Sequence, residues 1–166
     1  MPEAKEKVVL KRTIFEKVLN LVALAAFLVI IIYIIAIWTE LPVRIPNHYN
    51  GAGEVDGWGG KGSLLIPIII GILIWFGISV LERFPQIHNY PVKVTEENRR
   101  RLMHNSVMML SVTKNIILLY LSYMTWRTVQ DAYGHPSLYA EWDLPIFLVV
   151  LVSPMAYFIY RSFKLR

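Results

Sequence analysis

Leu21-Val22-Ala23-Leu24-Ala25-Ala26-Phe27-Leu28-Val29-Ile30-Ile31-Ile32-Tyr33-Ile34-Ile35-Ala36-Ile37 contains no charged residue. It is the centre of an apolar run over about 18–38, close to the roughly 20 residues that a helix rising about 1.5 Å per residue needs to cross about 30 Å of hydrocarbon. Three further runs of similar character lie at about 64–81, 107–126 and 144–160. Apolar residues make up 55% of the chain, too many for an ordinary soluble domain, and these four runs account for the excess. The expected fold class is therefore all-α: a polytopic membrane protein with four transmembrane helices in a single domain over 1–166. The first run exceeds the apolar core of a secretory signal, and no small-residue cleavage pattern follows Trp38, so it is expected to remain in the mature protein. Cysteine is absent, which removes disulfides and thiolate metal sites.

The formal net charge of +5 is distributed by loop, which argues against nucleic acid as a partner and for the lipid bilayer. Lys5, Lys7, Lys11, Arg12 and Lys17 precede the first run, Arg83, Lys93, Arg99, Arg100 and Arg101 separate the second from the third, and Arg161, Lys164 and Arg166 follow the fourth. Glu40, Glu54, Asp56, Asp131, Glu141 and Asp143 gather on the other side, with only Arg44, Lys61 and Arg127 among them. Positive charge stays inside, so the expectation is a multi-pass protein of the cell membrane with both termini cytoplasmic. Trp38, Trp126 and Trp142 then mark the outer ends of helices.

Thr95 followed by Glu96 and Glu97 reads as an N-cap with acids in the first turn, predicting a helix from near Glu96 to about Val129. Arg99, Arg100 and Arg101 go around that helix and suit anchoring against anionic lipid. Lys114 falls on the order of 10 Å inside the apolar run, between Thr113 and Asn115. A lysine there is costly unless it finds a partner, faces a wet cavity or snorkels, which makes it a candidate site residue.

The segment from Leu41 to Lys61, between the first two runs, is the richest in chemistry. Pro42 and Pro46 restrict its start, Gly51, Gly53, Gly57, Gly59 and Gly60 permit turns, and His48, Tyr49, Glu54, Asp56, Trp58 and Lys61 are interleaved with them. Such a composition predicts a structured outer loop that presents ionisable and aromatic groups together, whereas a spacer would lack the charges. His48, Glu54 and Asp56 form a candidate ligand set for a divalent metal such as zinc or manganese, with Lys61 free to stabilise developing negative charge. A second arrangement folds the loop back as a lid, with His48, Asp56 and Lys61 at the mouth of a cavity whose floor holds Lys114. No nucleophile elbow, phosphate-binding glycine loop or HExxH helix is present.

Leu41-Pro42-x-x-Ile45-Pro46-x-His48-Tyr49-x-x-x-Gly53-Glu54-x-Asp56-Gly57-Trp58-x-x-Lys61, with Pro67 after it and Asn89-Tyr90-Pro91-Val92-x-Val94-Thr95-x-Glu97-Asn98 further on, resembles the bacterial membrane family called domain of unknown function 1648. The likeness extends over about 14–127. That domain also forms the opening half of SdpI-type immunity proteins, so the resemblance implies a small integral membrane protein acting in immunity or signalling towards a secreted toxic peptide. Together with the loop, it yields the expected function: binding or sensing of an extracytoplasmic peptide or amphiphile through His48, Tyr49, Glu54, Asp56, Trp58, Lys61 and Lys114. The competing expectation is a metal-assisted membrane hydrolase or transferase acting on a lipid-like substrate. A transporter subunit is a third, and it would require a homo-oligomer, since four helices alone enclose little.

Overall fold

The computed structural model describes residues 10–166, so Lys5 and Lys7 lie outside the described residues. Four helices among them are long and apolar enough to cross a membrane. They are α1 (Ile14–Ile37), α2 (Leu65–Leu81, entered through a 3-10 turn over Lys61–Leu64), α3 (Arg99–Ala132) and α4 (Ala140–Lys164). Each contains its expected apolar run or nearly so, and α1, α3 and α4 extend beyond it at one or both ends. At the start of α1, Thr13 and Glu16 close a capping box, in which Glu16 Oε2 accepts from the Thr13 amide at 2.7 Å. This is how a buried glutamate is accommodated there.

The start of α3 departs from expectation. Thr95 and Asn98 exchange hydrogen bonds, the Thr95 amide to Asn98 Oδ1 at 2.8 Å and the Asn98 amide to Thr95 Oγ1 at 3.3 Å. That reciprocal pair closes a turn before the helix, so Glu96 and Glu97 stand in the turn and the helix proper begins at Arg99. Thr95 thus serves the Asn98 amide as the expected cap would, with Asn98 returning the bond as in a capping box, and only the start of the regular helix lies later than expected.

The Leu41–Lys61 segment is more ordered than a compact loop. It forms an antiparallel hairpin of β1 (Ile45–Tyr49) and β2 (Val55–Gly59), with irregular register on both sides of His48. Asn50 builds its turn by accepting from the amides of Ala52 and Glu54 through Oδ1, and Gly53 adopts φ +76°, which favours glycine. Ile45 and Pro46 are fully buried and root the hairpin, Ile45 sharing one apolar cluster with Leu41, Leu64 and Val129.

α3 is the axis of the molecule, and α1, α2 and α4 each pack against it. Its length carries the buried polar residues Asn105, Ser111, Lys114, Asn115, Ser122, Thr125, Arg127 and Asp131, which the other helices screen from lipid. The surrounding helices turn large apolar side chains such as Ile32, Leu73 and Val149 outward, as a hydrocarbon solvent requires. Gly71 sits against the Phe27 ring and Leu118, where an added Cβ would come within 3.0 Å of the ring, so α1, α2 and α3 meet there. On α4, Asn105 Nδ2 reaches the Phe158 carbonyl at 2.8 Å and Ser162 Oγ at 2.9 Å, and Tyr120 stacks on Phe147 with centroids 3.7 Å apart.

Candidate functional site

The polar residues assemble at two places, one near the chain termini and one at the hairpin. At the terminal end Lys114 is buried and turned inward. Its ammonium lies 2.8 Å from Glu82 Oε1 and donates to Glu82 Oε2 at 2.9 Å and to Ser79 Oγ at 2.8 Å. It also lies 4.7 Å from the centroid of the Trp75 ring. Arg12 pairs with the same Glu82 carboxylate. Alongside, Asn115 Nδ2 donates to Asn20 Oδ1 at 3.0 Å and Trp75 Nε1 donates to Asn115 Oδ1 at 3.2 Å, so α1, α2 and α3 are tied by one hydrogen-bonded chain. A cavity of about 550 Å³ opens here, lined by Arg12, Lys17, Asn20, Trp75, Ser79 and Arg83 among others. Lys114 thus resolves its burial by pairing rather than by snorkelling to headgroups.

At the hairpin end Arg127 is buried at the centre. It donates to Asp143 and, at 2.6 Å, to the Gly53 carbonyl, and its Nε lies 3.5 Å from Asp131 Oδ2. The Tyr49 ring lies beneath the guanidinium, 4.8 Å to its centroid, while the Tyr49 hydroxyl donates to Asp131 Oδ2 at 2.9 Å. Burial pushes the Tyr49 phenol well above its ordinary pKa, against the lowering contact with Thr128, so it is a donor at any physiological pH. Arg127 Nε and Asp131 Oδ1 are buried without a hydrogen-bond partner of their own, a donor and an acceptor in one cluster.

Beside this cluster lies a polar cavity of about 270 Å³ lined by residues that include His48, Asn50, Tyr120, Arg127, Glu141 and Asp143. A second cavity of about 310 Å³, almost wholly apolar, follows the α3/α4 seam along Leu119, Tyr120, Tyr123, Ile146, Phe147 and Val150 and reaches Asp143. Tyr120 and Asp143 line both.

The loop residues distribute unevenly over this geometry. His48 Nδ1 meets Asp56 Oδ1 at 2.5 Å on an exposed face of the hairpin. Glu54 stands apart, its carboxylate accepting from Asn50 Nδ2 at 3.0 Å. No group of three His, Asp or Glu side chains able to hold a metal is present among the described residues, so the expected set of His48, Glu54 and Asp56 is reduced to the His48–Asp56 pair. Lys61 reaches back to the Trp38 carbonyl at 3.0 Å, pinning the end of α1 rather than joining His48 and Asp56. Trp58 is half exposed opposite Pro46. The arrangement with Lys114 on the floor beneath the loop is not formed: Lys114 and Arg127 are thirteen positions apart on α3, about 20 Å at helical rise, and no hairpin residue lines the cavity at Lys114. Arg12, Arg127, Asp131 and Asp143 enter the sequence reading only as loop charge, and Glu82 does not enter it. One sequence signal points to part of this set, the i, i+4 spacing of Arg127 and Asp131; the depth of Glu82 beside Lys114 follows only from the packing of α2 on α3.

A model of the family described as Domain of unknown function (DUF1648) matches residues 25–82. That region holds α1 from Ala25 onward, the hairpin and α2, and it ends before the Asn89–Asn98 motif. The chain is also 27% identical, over 165 residues, to an uncharacterized protein of Archaeoglobus fulgidus, covering 87% of this chain and 84% of that one. No solved structure matches it.

Proposed function

We propose that this is a membrane binding and sensing protein whose hairpin end takes an amphiphile with a cationic head. One observation carries the reading: a polar cavity and an apolar groove share Tyr120 and Asp143, so a single molecule can place its head beside Arg127, Glu141 and Asp143 and its tail along Ile146, Phe147 and Val150. The sign of the head follows from charge. Arg127 is already paired with Asp131 and Asp143, and Glu141 lines the same cavity as Asp143, which leaves the compartment net acidic. Basic residues collect at the terminal end of the bundle, which supports an outward-facing hairpin and cytoplasmic termini. The likeness to the family represented in SdpI-type immunity proteins supports a protective role against a secreted membrane-active peptide. Expression in a sensitive host, followed by challenge with a panel of cationic amphipathic peptides, tests it. Survival should rise with the wild type and fall back with Glu141→Gln, whose side chain is exposed and lines the polar cavity. Equal survival with and without the protein across the panel would remove the protective role.

A further inference from the structure

The cavity between α1 and α2 at the terminal end has a composition that the hairpin site does not explain. Four cationic side chains line it, Arg12, Lys17, Arg83 and Lys114, together with Asn20 and Ser79, while Leu24, Trp75, Phe76 and Val80 supply its apolar walls. Among the described residues Glu82 is the single carboxylate bonded into this group, and it serves both Arg12 and Lys114. Glu16, the other buried acid nearby, is occupied by its capping box with Thr13. Lys17 and Arg83 are exposed, and neither side chain has a carboxylate within ion-pair distance among the described residues. The cavity therefore carries surplus positive charge where helix ends meet the headgroup layer, with apolar walls on the membrane side.

We infer that this cavity is a site for the phosphate headgroup of an anionic membrane lipid, with Lys17, Arg83 and the free donors of Arg12 around the phosphate and an acyl chain along Leu24, Trp75 and Phe76. Basic pockets between transmembrane helices attract anionic headgroups, and each basic side chain near the surface strengthens such binding roughly fivefold. The buried Lys114–Glu82 pair holds the wall of the cavity rather than the ligand, since Ser79 and Glu82 already take its donors. The site is independent of the reading given to the hairpin end.

Trp75 lies in the cavity wall, whereas Trp38, Trp58, Trp126 and Trp142 lie at the hairpin end. A chain with those four changed to Phe, in phosphatidylcholine vesicles doped with brominated phosphatidylglycerol or brominated phosphatidylcholine, reads occupancy by quenching of Trp75. The expected preference for the glycerol lipid is roughly tenfold, falling below about threefold in Lys17→Gln/Arg83→Gln. Lys11→Gln/Arg161→Gln, which removes the same charge from the α3/α4 side, should leave the preference unchanged. The full chain with its tryptophans intact offers a second readout, the phosphatidylglycerol molecules retained per protein in native mass spectrometry, with the same pattern across the variants. Quenching that is equal for both lipids, or a preference that survives in Lys17→Gln/Arg83→Gln, would overturn the inference. Loss of the preference on adding millimolar inorganic phosphate at constant ionic strength would overturn it too, by assigning the cavity to soluble phosphate.

Discussion

Glu82 neutralises two cations at once, and this makes the residues around it unequal. Glu82→Gln leaves both Lys114 and Arg12 without their acid, and stranding a buried charge costs about 3–5 kcal/mol. Lys114→Met leaves Glu82 still paired with Arg12, so thermal unfolding of the purified protein in detergent should show a much smaller loss for Lys114→Met than for Glu82→Gln. Equal losses would mean that Arg12 does not hold the carboxylate. Lys114 itself was conspicuous in the sequence as the one lysine within an apolar run. Its partner was not, because Glu82 reads as the first residue of a loop and only the packing of α2 on α3 shows that the loop begins at the depth of Lys114. His48 and Asp56 were legible as residues but their pairing was not, since it depends on the irregular register on either side of His48.

Among the elements, the four helices could be read from the apolar runs because each approaches the thickness of a bilayer and charges separate them. Their true ends could not, because helices continue into the polar margin: α4 begins at Ala140, with Glu141 and Asp143 in its first turn, where acids are favoured. The hairpin was legible only as a turn-rich, charged segment. Its strands are short and carry Pro46 and two glycines, which hide the alternation that marks a strand. Gly53 joins the hairpin to the helices, since a Cβ there would stand 2.2 Å from the Ala140 carbonyl oxygen and would have to tolerate φ +76°. Gly53→Ala should therefore undock the hairpin at a cost of about 1–3 kcal/mol. Hydrogen exchange should rise over 45–59 while the four helices stay protected, and Gly60→Ala, with nothing within 4 Å of the added Cβ, should leave exchange unchanged. Matching exchange in the two variants would show that Gly53 does not hold the hairpin on α4.

Across the whole molecule, α3 threads a polar interior through an apolar shell and passes from a cationic environment near Lys114 to an acidic one near Arg127. That asymmetry sets the proposed orientation, with the hairpin outside. In this cysteine-free chain, single cysteines at Ala52 and Leu138 should react with an impermeant reagent on intact cells and one at Asn89 should not; the reverse pattern would invert the topology. The joined cavities at the hairpin end carry the proposed function. Calorimetric titration of the protein in phosphatidylcholine nanodiscs, with a cationic amphipathic peptide and its charge-reversed analogue, addresses them directly. The cationic peptide should bind at least roughly tenfold more tightly, and Glu141→Gln should shrink that margin by several-fold at unchanged stability. Equal affinity for the two peptides, or a margin untouched by Glu141→Gln, would contradict a site built to hold a cationic head beside Asp143.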